Sequence, residues 1–325
     1  MSKTIAVTGA TGFAGRHAVG ELLKRGHRVS ALVRDPARAG LPPGVGMVAG
    51  HLEDAAALAT LVRGADAVVH LAGVIAAVHP EDYFRYNTGP TRALAETAAQ
   101  AGVKRFVFAS SLAAREPELS SYGASKLAAE QALRQFDGRL STIMLRAPAI
   151  HGPGDRATLP LIKQLTKRIA MIPGSREQRF SLIHVKDFAR VISDAVDSQK
   201  TGIVELSDGT PGGYCWDDLM RAAIDAEGRS IQVIFLPKPL VAGVALVAGA
   251  MARLTGEPGM INSGKVRELY HGDWVARGPG LALDDPIVFA RGFPETLSWY
   301  RKAGWLPPRR EADRSNAKSH PEAGQ

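Results

Sequence analysis

One segment, Thr4-Ile5-Ala6-Val7-Thr8-Gly9-Ala10-Thr11-Gly12-Phe13-Ala14-Gly15, limits what this chain can fold into more than any other. A short β-branched run ends on three glycines and passes directly into an apolar helical pattern from Phe13 to Arg25. Gly9 permits a tight turn, Gly12 lets the backbone approach a pyrophosphate, and Gly15 lets the helix pack close to the sheet. The helix N-terminus then offers unpaired N–H groups and a positive dipole end to phosphates. A glycine triplet alone says little, but strand, turn and helix together predict a dinucleotide-binding α/β unit.

The same rhythm continues downstream. Strands are expected at Thr4–Thr8, Arg28–Val33, Val45–Ala49, Ala67–Leu71, Arg105–Ala109 and Thr142–Ala147. Helices are expected at Phe13–Arg25, Asp54–Val62, Thr88–Ala101 and Tyr122–Gln135. This alternation predicts a Rossmann-type doubly wound parallel sheet over residues 1–150, completed by about residues 183–206 through a helix at Val185–Val196 and a strand at Ile203–Leu206. From Pro148 onward, Gly and Pro clusters break the pattern into shorter elements, so residues 151–306 are read mainly as a smaller substrate-binding part. The uncharged apolar run Leu240–Ala252 is too short for a membrane span and is expected as a buried helix, either packing or lining an apolar pocket. Residues 307–325 are polar and are expected to form a disordered tail.

Composition narrows the function. With 45% hydrophobic and 22% charged residues, the chain is neither fibrous nor mainly disordered. The formal charge of +8 comes from scattered Lys and Arg with no basic run among aromatics, so no nucleic-acid partner is expected and an anionic cofactor explains part of the bias. The one cysteine, Cys215, fits a reducing compartment, and no basic, apolar and small-residue succession opens the chain, so a cytoplasmic location is expected. The nine histidines lack ligand-like spacing, and no metal site is expected.

About twenty residues past the glycines, where an acidic residue would select the free ribose of NAD, stand Arg34 and Asp35. Arginine grips a 2′-phosphate through charge-assisted hydrogen bonds, which favours NADP, with Arg16 assisting; a one-residue shift would put Asp35 on the ribose and favour NAD. Farther on, Tyr122 and Lys126 are spaced to share one helical face. A nearby ammonium and an oxidised nicotinamide both favour the phenolate, so this pair is expected to handle a proton, with the tyrosine pKa drawn down towards the working range.

These residues resemble the extended branch of the short-chain dehydrogenase/reductases, which includes nucleotide-sugar epimerases, 3β-hydroxysteroid dehydrogenases and dihydroflavonol reductases. The resemblance rests on residues 8–15, His70-Leu71-Ala72-Gly73, Asn87, Phe108-Ala109-Ser110-Ser111, residues 122–126, Leu145-Arg146-Ala147-Pro148 with Gly152-Pro153-Gly154, and Ile183-His184-Val185 with Asp187. It implies catalysis by Ser111, Tyr122, Lys126 and Asn87: Ser111 would hydrogen-bond the substrate oxygen and Asn87 would organise the site. It also implies cofactor contacts from Gly9, Thr11, Gly12, Phe13, Ala14, Gly15, Arg16, Arg34, His51, Leu52, Leu71, Ala72, Gly73, Tyr122, Lys126, Pro148, Ala149 and Ile150. There are departures. His51 replaces an acidic residue that contacts adenine, only ten residues separate Ser111 from Tyr122, and Leu112-Ala113 replace the Asp-Glu pair of the dehydratases.

The expected activity is an NAD(P)-dependent interconversion of a secondary alcohol and a ketone. A nucleotide-sugar epimerase, with Arg176 or Arg179 on a diphosphate, and a non-catalytic NADP-binding accessory subunit are the alternatives. The expected partners are a small-molecule substrate, hydrophobic or a nucleotide sugar, and a second copy in a homodimer.

Overall fold

A computed structural model describes residues 2–259, 261–278 and 280–308; the expected tail lies, from residue 309, outside the described residues. The first half runs β1 (Thr4–Thr8), α1 (Phe13–Lys24), β2 (Arg28–Val33), β3 (Gly46–Ala49), α2 (Ala55–Val62), β4 (Ala67–His70), α3 (Pro80–Tyr83), α4 (Gly89–Gln100), β5 (Arg105–Ser111), α5 (Ser121–Arg134) and β6 (Ser141–Ala147). Between α3 and α4 the helix widens into a π turn at Phe84–Thr88. After β6 come β7 (Ala149–His151), α6 (Leu159–Leu165), β8 (Ile169–Pro173), β9 (Arg179–Phe180), β10 (Leu182–His184), α7 (Val185–Asp197) and β11 (Gly202–Glu205). The chain ends in α8 (Trp216–Glu227), β12 (Gln232–Leu236), α9 (Lys238–Thr255), α10 (Ser263–Leu269), β13 (Asp273–Trp274) and α11 (Phe289–Lys302).

Seven parallel strands form one sheet in the order β11-β6-β5-β4-β1-β2-β3. The fold is therefore a doubly wound α/β sheet whose order reverses between β1 and β4. Both strands are rich in Ala, Val and Ile and almost wholly buried, as strands covered on both faces must be. One face is sealed by Ala18, Val19 and Leu22 of α1 together with Phe188, Val191 and Ile192 of α7. The other is sealed by Leu58 and Leu61 of α2, Leu94 of α4 and Leu133 of α5. A separate core gathers Trp216 and Leu219 of α8 with Phe293, Leu297 and Tyr300 of α11.

The structure corrects one expectation about the second half. Helix α9 has 18 residues, longer than the uncharged run because Lys238 and Arg253 continue it at the ends, and Pro239 sits in the first turn where its missing N–H costs no hydrogen bond. Its mean hydropathy of 1.3 makes it long and apolar enough to cross a membrane by length and composition, yet only 11% of it is buried. It is not the buried helix anticipated, because only Val241 and Ala245 turn into a small core with Val266.

Candidate active site

The site gathers at the carboxyl ends of the sheet strands, centred on β1, β4 and β5 beside the point where strand order reverses. Gly9 leaves β1 at φ +74°, and a Cβ there would stand 2.6 Å from the Ala72 nitrogen in the loop after β4. A Cβ on Gly15 would stand 2.0 Å from the Gly9 carbonyl oxygen, so α1 packs onto the turn backbone to backbone. Gly12 caps α1 without a side-chain hydrogen bond, which leaves the first-turn N–H groups of Phe13, Ala14 and Gly15 open to an anion. A cradle that any Cβ would fill, facing Ala72 and Gly73, fits the pyrophosphate of a dinucleotide.

The two arginines beside the cradle are placed differently. Arg16 donates to the carbonyls of Thr11 (3.1 Å), Gly40 (2.6 Å) and Ala39 (2.9 Å), bracing the cradle against the loop after β2. Arg34 is exposed at the end of β2 and has no hydrogen bond or ion pair among the described residues. Its neighbour Asp35 is occupied as the cap of a single 3-10 turn, where Oδ1 accepts from the Ala37 N–H at 3.0 Å. His51 and Leu52 follow β3; His51 is exposed and its Nδ1 accepts from the Glu53 N–H at 3.3 Å.

On the substrate side, Ser120 caps α5 by accepting from the Gly123 N–H at 2.9 Å, which fixes Tyr122 in the first turn. Tyr122 faces Ser111, from the end of β5, closely enough for the serine hydroxyl to favour the phenolate. Lys126, one turn along, is buried, donates to the Ala109 carbonyl at 2.9 Å and lies 4.9 Å from the Phe108 ring centre. Tyr122 is half-buried, and withdrawal from water pushes its phenol up to about 12, against the opposing influence of Ser111. Burial likewise lowers Lys126 to about 8, while Glu130 pulls it the other way. Burial thus acts against the expected lowering of the tyrosine pKa, and the groups that would oppose it are the Lys126 ammonium one turn along and an oxidised nicotinamide.

Asn87 occupies the π turn and ties three pieces together. Its Oδ1 accepts from the Val74 N–H at 2.8 Å, while its Nδ2 donates to the Val74 carbonyl at 3.1 Å and to Ser125 Oγ at 3.0 Å. The loop Leu71–Val74 is thereby fastened to the helix that carries Tyr122. Behind it runs a buried relay that sequence reasoning did not identify: Thr8 Oγ1 to His70 Nδ1 at 2.6 Å, and His70 Nε2 to Thr91 Oγ1 at 2.9 Å. Thr91 in turn donates to the Asn87 carbonyl at 2.6 Å. Burial lowers His70 to about 3, so the ring is neutral and serves as a spacer between strands β1 and β4 and helix α4. Also unforeseen is buried Glu130, which accepts from Ser110 at 2.5 Å and from both ends of the Arg146 guanidinium at 2.9 and 2.8 Å. Its signal was the spacing of four from Lys126, which puts both on one face of α5. Pro148, Ala149 and Ile150 leave β6 into β7, which pairs with β10. Arg176, considered for a diphosphate, is exposed and pairs with Asp217 at 3.5 Å, while Arg179 is exposed on β9.

Comparison with known proteins agrees with this geometry. The chain is 42% identical to a ceramide reductase of Caulobacter vibrioides over 93% of its own length and 96% of the relative's. It is 27% identical to a UDP-glucose 4-epimerase of Azospirillum brasilense over 92% of each chain. Among solved structures, the UDP-glucose 4-epimerase of Thermus thermophilus in complex with NAD superposes with a TM-score of 0.67 at 23% identity, covering 92% of this chain and 99% of that one. A UDP-N-acetylglucosamine 4-epimerase from Methanobrevibacter ruminantium superposes at 0.70 with 18% identity, covering 93% and 99%. These two likenesses are of fold. Residues 5–206 match the family described as NAD dependent epimerase/dehydratase, so the chain, with its glycine cradle and Tyr-Lys helix, belongs to that family of NAD(P)-dependent enzymes.

Proposed function

We propose that the chain is an NADPH-dependent reductase that converts a ketone on a ceramide-type lipid into a secondary alcohol. The observation that carries this reading is the placement of Tyr122 in the first turn of α5, one turn before buried Lys126 and facing Ser111 at the end of β5: its phenol, which burial holds protonated, can give a proton to a carbonyl oxygen as that becomes an alcohol. The 42% identity to a ceramide reductase along nearly the whole chain supports the substrate class.

A reduced nicotinamide held at the cradle would supply the hydride that a carbonyl carbon needs. The protein does the rest. The N–H groups at the start of α1 would hold its pyrophosphate, and Arg34 would hold a 2′-phosphate. Ser111 donates to the carbonyl oxygen and Tyr122 delivers its proton there. Lys126 would hold the ribose, Asn87 keeps the loop Leu71–Val74 in register with α5, and Pro148–Ile150 would border the nicotinamide. The phenolate left behind is favoured by the Lys126 ammonium and regains a proton from solvent.

The test is turnover of a ceramide-type ketone by the purified protein, read as loss of NADPH and a product heavier by two hydrogens. Tyr122→Phe should retain NADPH binding and lose at least about a hundredfold in turnover. Unchanged turnover in that variant would remove Tyr122 from the proton step. Protein that purifies with oxidised cofactor and converts a nucleotide sugar without net cofactor use would replace the reductase by an epimerase.

A further inference from the structure

Helix α9 is a long helix whose exposed side is apolar between Lys238 and Arg253. Leu240, Val244, Val247, Met251 and Leu254 follow one another at spacings of four and three, so they form a single stripe, and each is more than half exposed; Leu246, at 72%, widens it. The other side is held by the protein through Val241 and Ala245 against Val266 and Tyr270. The strand that leads into it, β12, and its partner β8 also carry Ile234, Ile169 and Met171 exposed. A monomer rarely leaves so large a contiguous apolar surface uncovered.

The charges around the stripe select its occupant. Between Glu227 and Glu257 there is no acidic residue, and the helix ends carry Lys238 and Arg253. A second copy stacked on this stripe would bring like charges together in either orientation, Lys238 on Lys238 or Lys238 on Arg253. An anionic lipid surface meets both cations favourably and takes up the apolar residues between them.

The stripe also connects to the catalytic helix. Against α9 packs α10, whose Glu268 accepts a hydrogen bond from Ser120, the cap of α5. A Cβ on Gly264 of α10 would stand 2.9 Å from the Ser120 side chain. Asn262, the cap of α10, donates to the Tyr83 hydroxyl at 3.2 Å, and the Tyr83 ring stands 6.3 Å from that of Tyr122. A surface held by α9 is thus two packed layers from the proton donor.

We infer that α9 lies in the plane of an anionic membrane surface, with its Leu240–Leu254 stripe among the acyl chains, and docks the enzyme where a lipid ketone can enter the site directly. The docking itself stands on α9 alone; its purpose rests on the lipid reductase reading.

Flotation with vesicles of phosphatidylcholine, with and without phosphatidylglycerol, tests both parts. Wild type should float with the anionic vesicles, and Val247→Glu with Leu254→Glu should reduce the bound fraction about tenfold or more. Lys238→Gln with Arg253→Gln should weaken binding to anionic vesicles about tenfold and abolish its sensitivity to salt. Turnover of a ketone lipid presented in vesicles should fall in parallel in the Glu variant, while turnover of a short water-soluble ketone stays at the wild-type value. Wild type that fails to float, or a Glu variant that floats equally well, overturns the docking. So does a wild-type dimer that the Glu pair converts to monomer without any vesicle binding. Flotation lost in the Glu variant, with no ketone reduction by wild type, would keep the docking and sink the reductase reading instead.

Discussion

Helices α1 and α9 are both apolar, both contain glycines, and have opposite fates. In α1 the apolar residues Ala18, Val19 and Leu22 are buried, while Arg16, Glu21 and Lys24 leave a polar side for water. In α9 apolar residues continue all the way round between Lys238 and Arg253, and most remain uncovered. What decides burial is whether the fold supplies a complementary surface, as the sheet and α7 do for α1. A sequence polar on one side announces its orientation, and one apolar on all sides does not.

That contrast can be probed by substitutions in each region. The largest effect is expected at Arg34, an exposed cation at the end of β2 with no hydrogen bond or ion pair among the described residues. If it meets the 2′-phosphate, Arg34→Ala should weaken NADPH binding about tenfold to a hundredfold and leave NADH nearly unchanged, as fluorescence titration of both cofactors would show. A wild-type preference for NADH that Asp35→Ala removes would overturn the NADP assignment.

Next comes a matched pair of glycine substitutions. Gly15→Ala forces a Cβ against the Gly9 carbonyl and should cost roughly 1–3 kcal/mol of stability together with cofactor affinity. Gly243→Ala in α9 meets nothing within 4 Å and should instead gain up to about 1 kcal/mol from helix propensity. Urea denaturation of the two variants would break the comparison if their signs matched.

The smallest effect concerns pH. Because burial holds Lys126 near 8, its ammonium is present at pH 7 and mostly gone at pH 9. A contact between that ammonium and the cofactor ribose should therefore weaken NADPH binding by up to about tenfold over this interval. Lys126→Met should bind NADPH more weakly and show no such slope; a slope that survives in the Met variant would assign it to another group.

Much of the cofactor half was legible in the sequence because its signals are local. The β-branched runs between glycine and helical segments located all seven strands of the main sheet to within two residues at either end. The close backbone approach at Gly9 and Gly15 needs nothing beyond the motif itself. What remained hidden depends on partners distant in sequence. His70 meets Thr8 across 62 positions, and Asn87 meets Ser125 across 38. The π turn that aims Asn87 is invisible in a helical pattern that shows only that the segment coils. Burial of Tyr122, which raises its pKa, has no signature in the motif, and the helix expected at Leu240–Ala252 was read as buried although most of α9 is exposed.

The placement of α7 and β11 also bears on how the chain is made. The edge strand β11 pairs with β6 some 59 positions earlier, as at Gly202 and Ile143, and Phe188, Val191 and Ile192 complete the layer that covers α1. Lys3, at the start of the chain, bonds Asp197 at 2.7 Å. During synthesis the first helix and the β6 edge must therefore wait, uncovered, until about two hundred residues have left the ribosome. An open parallel edge is a pairing template for any neighbouring strand. For this protein the hazardous interval is that delay, and slowing translation before α7 should increase aggregation more than slowing it afterwards.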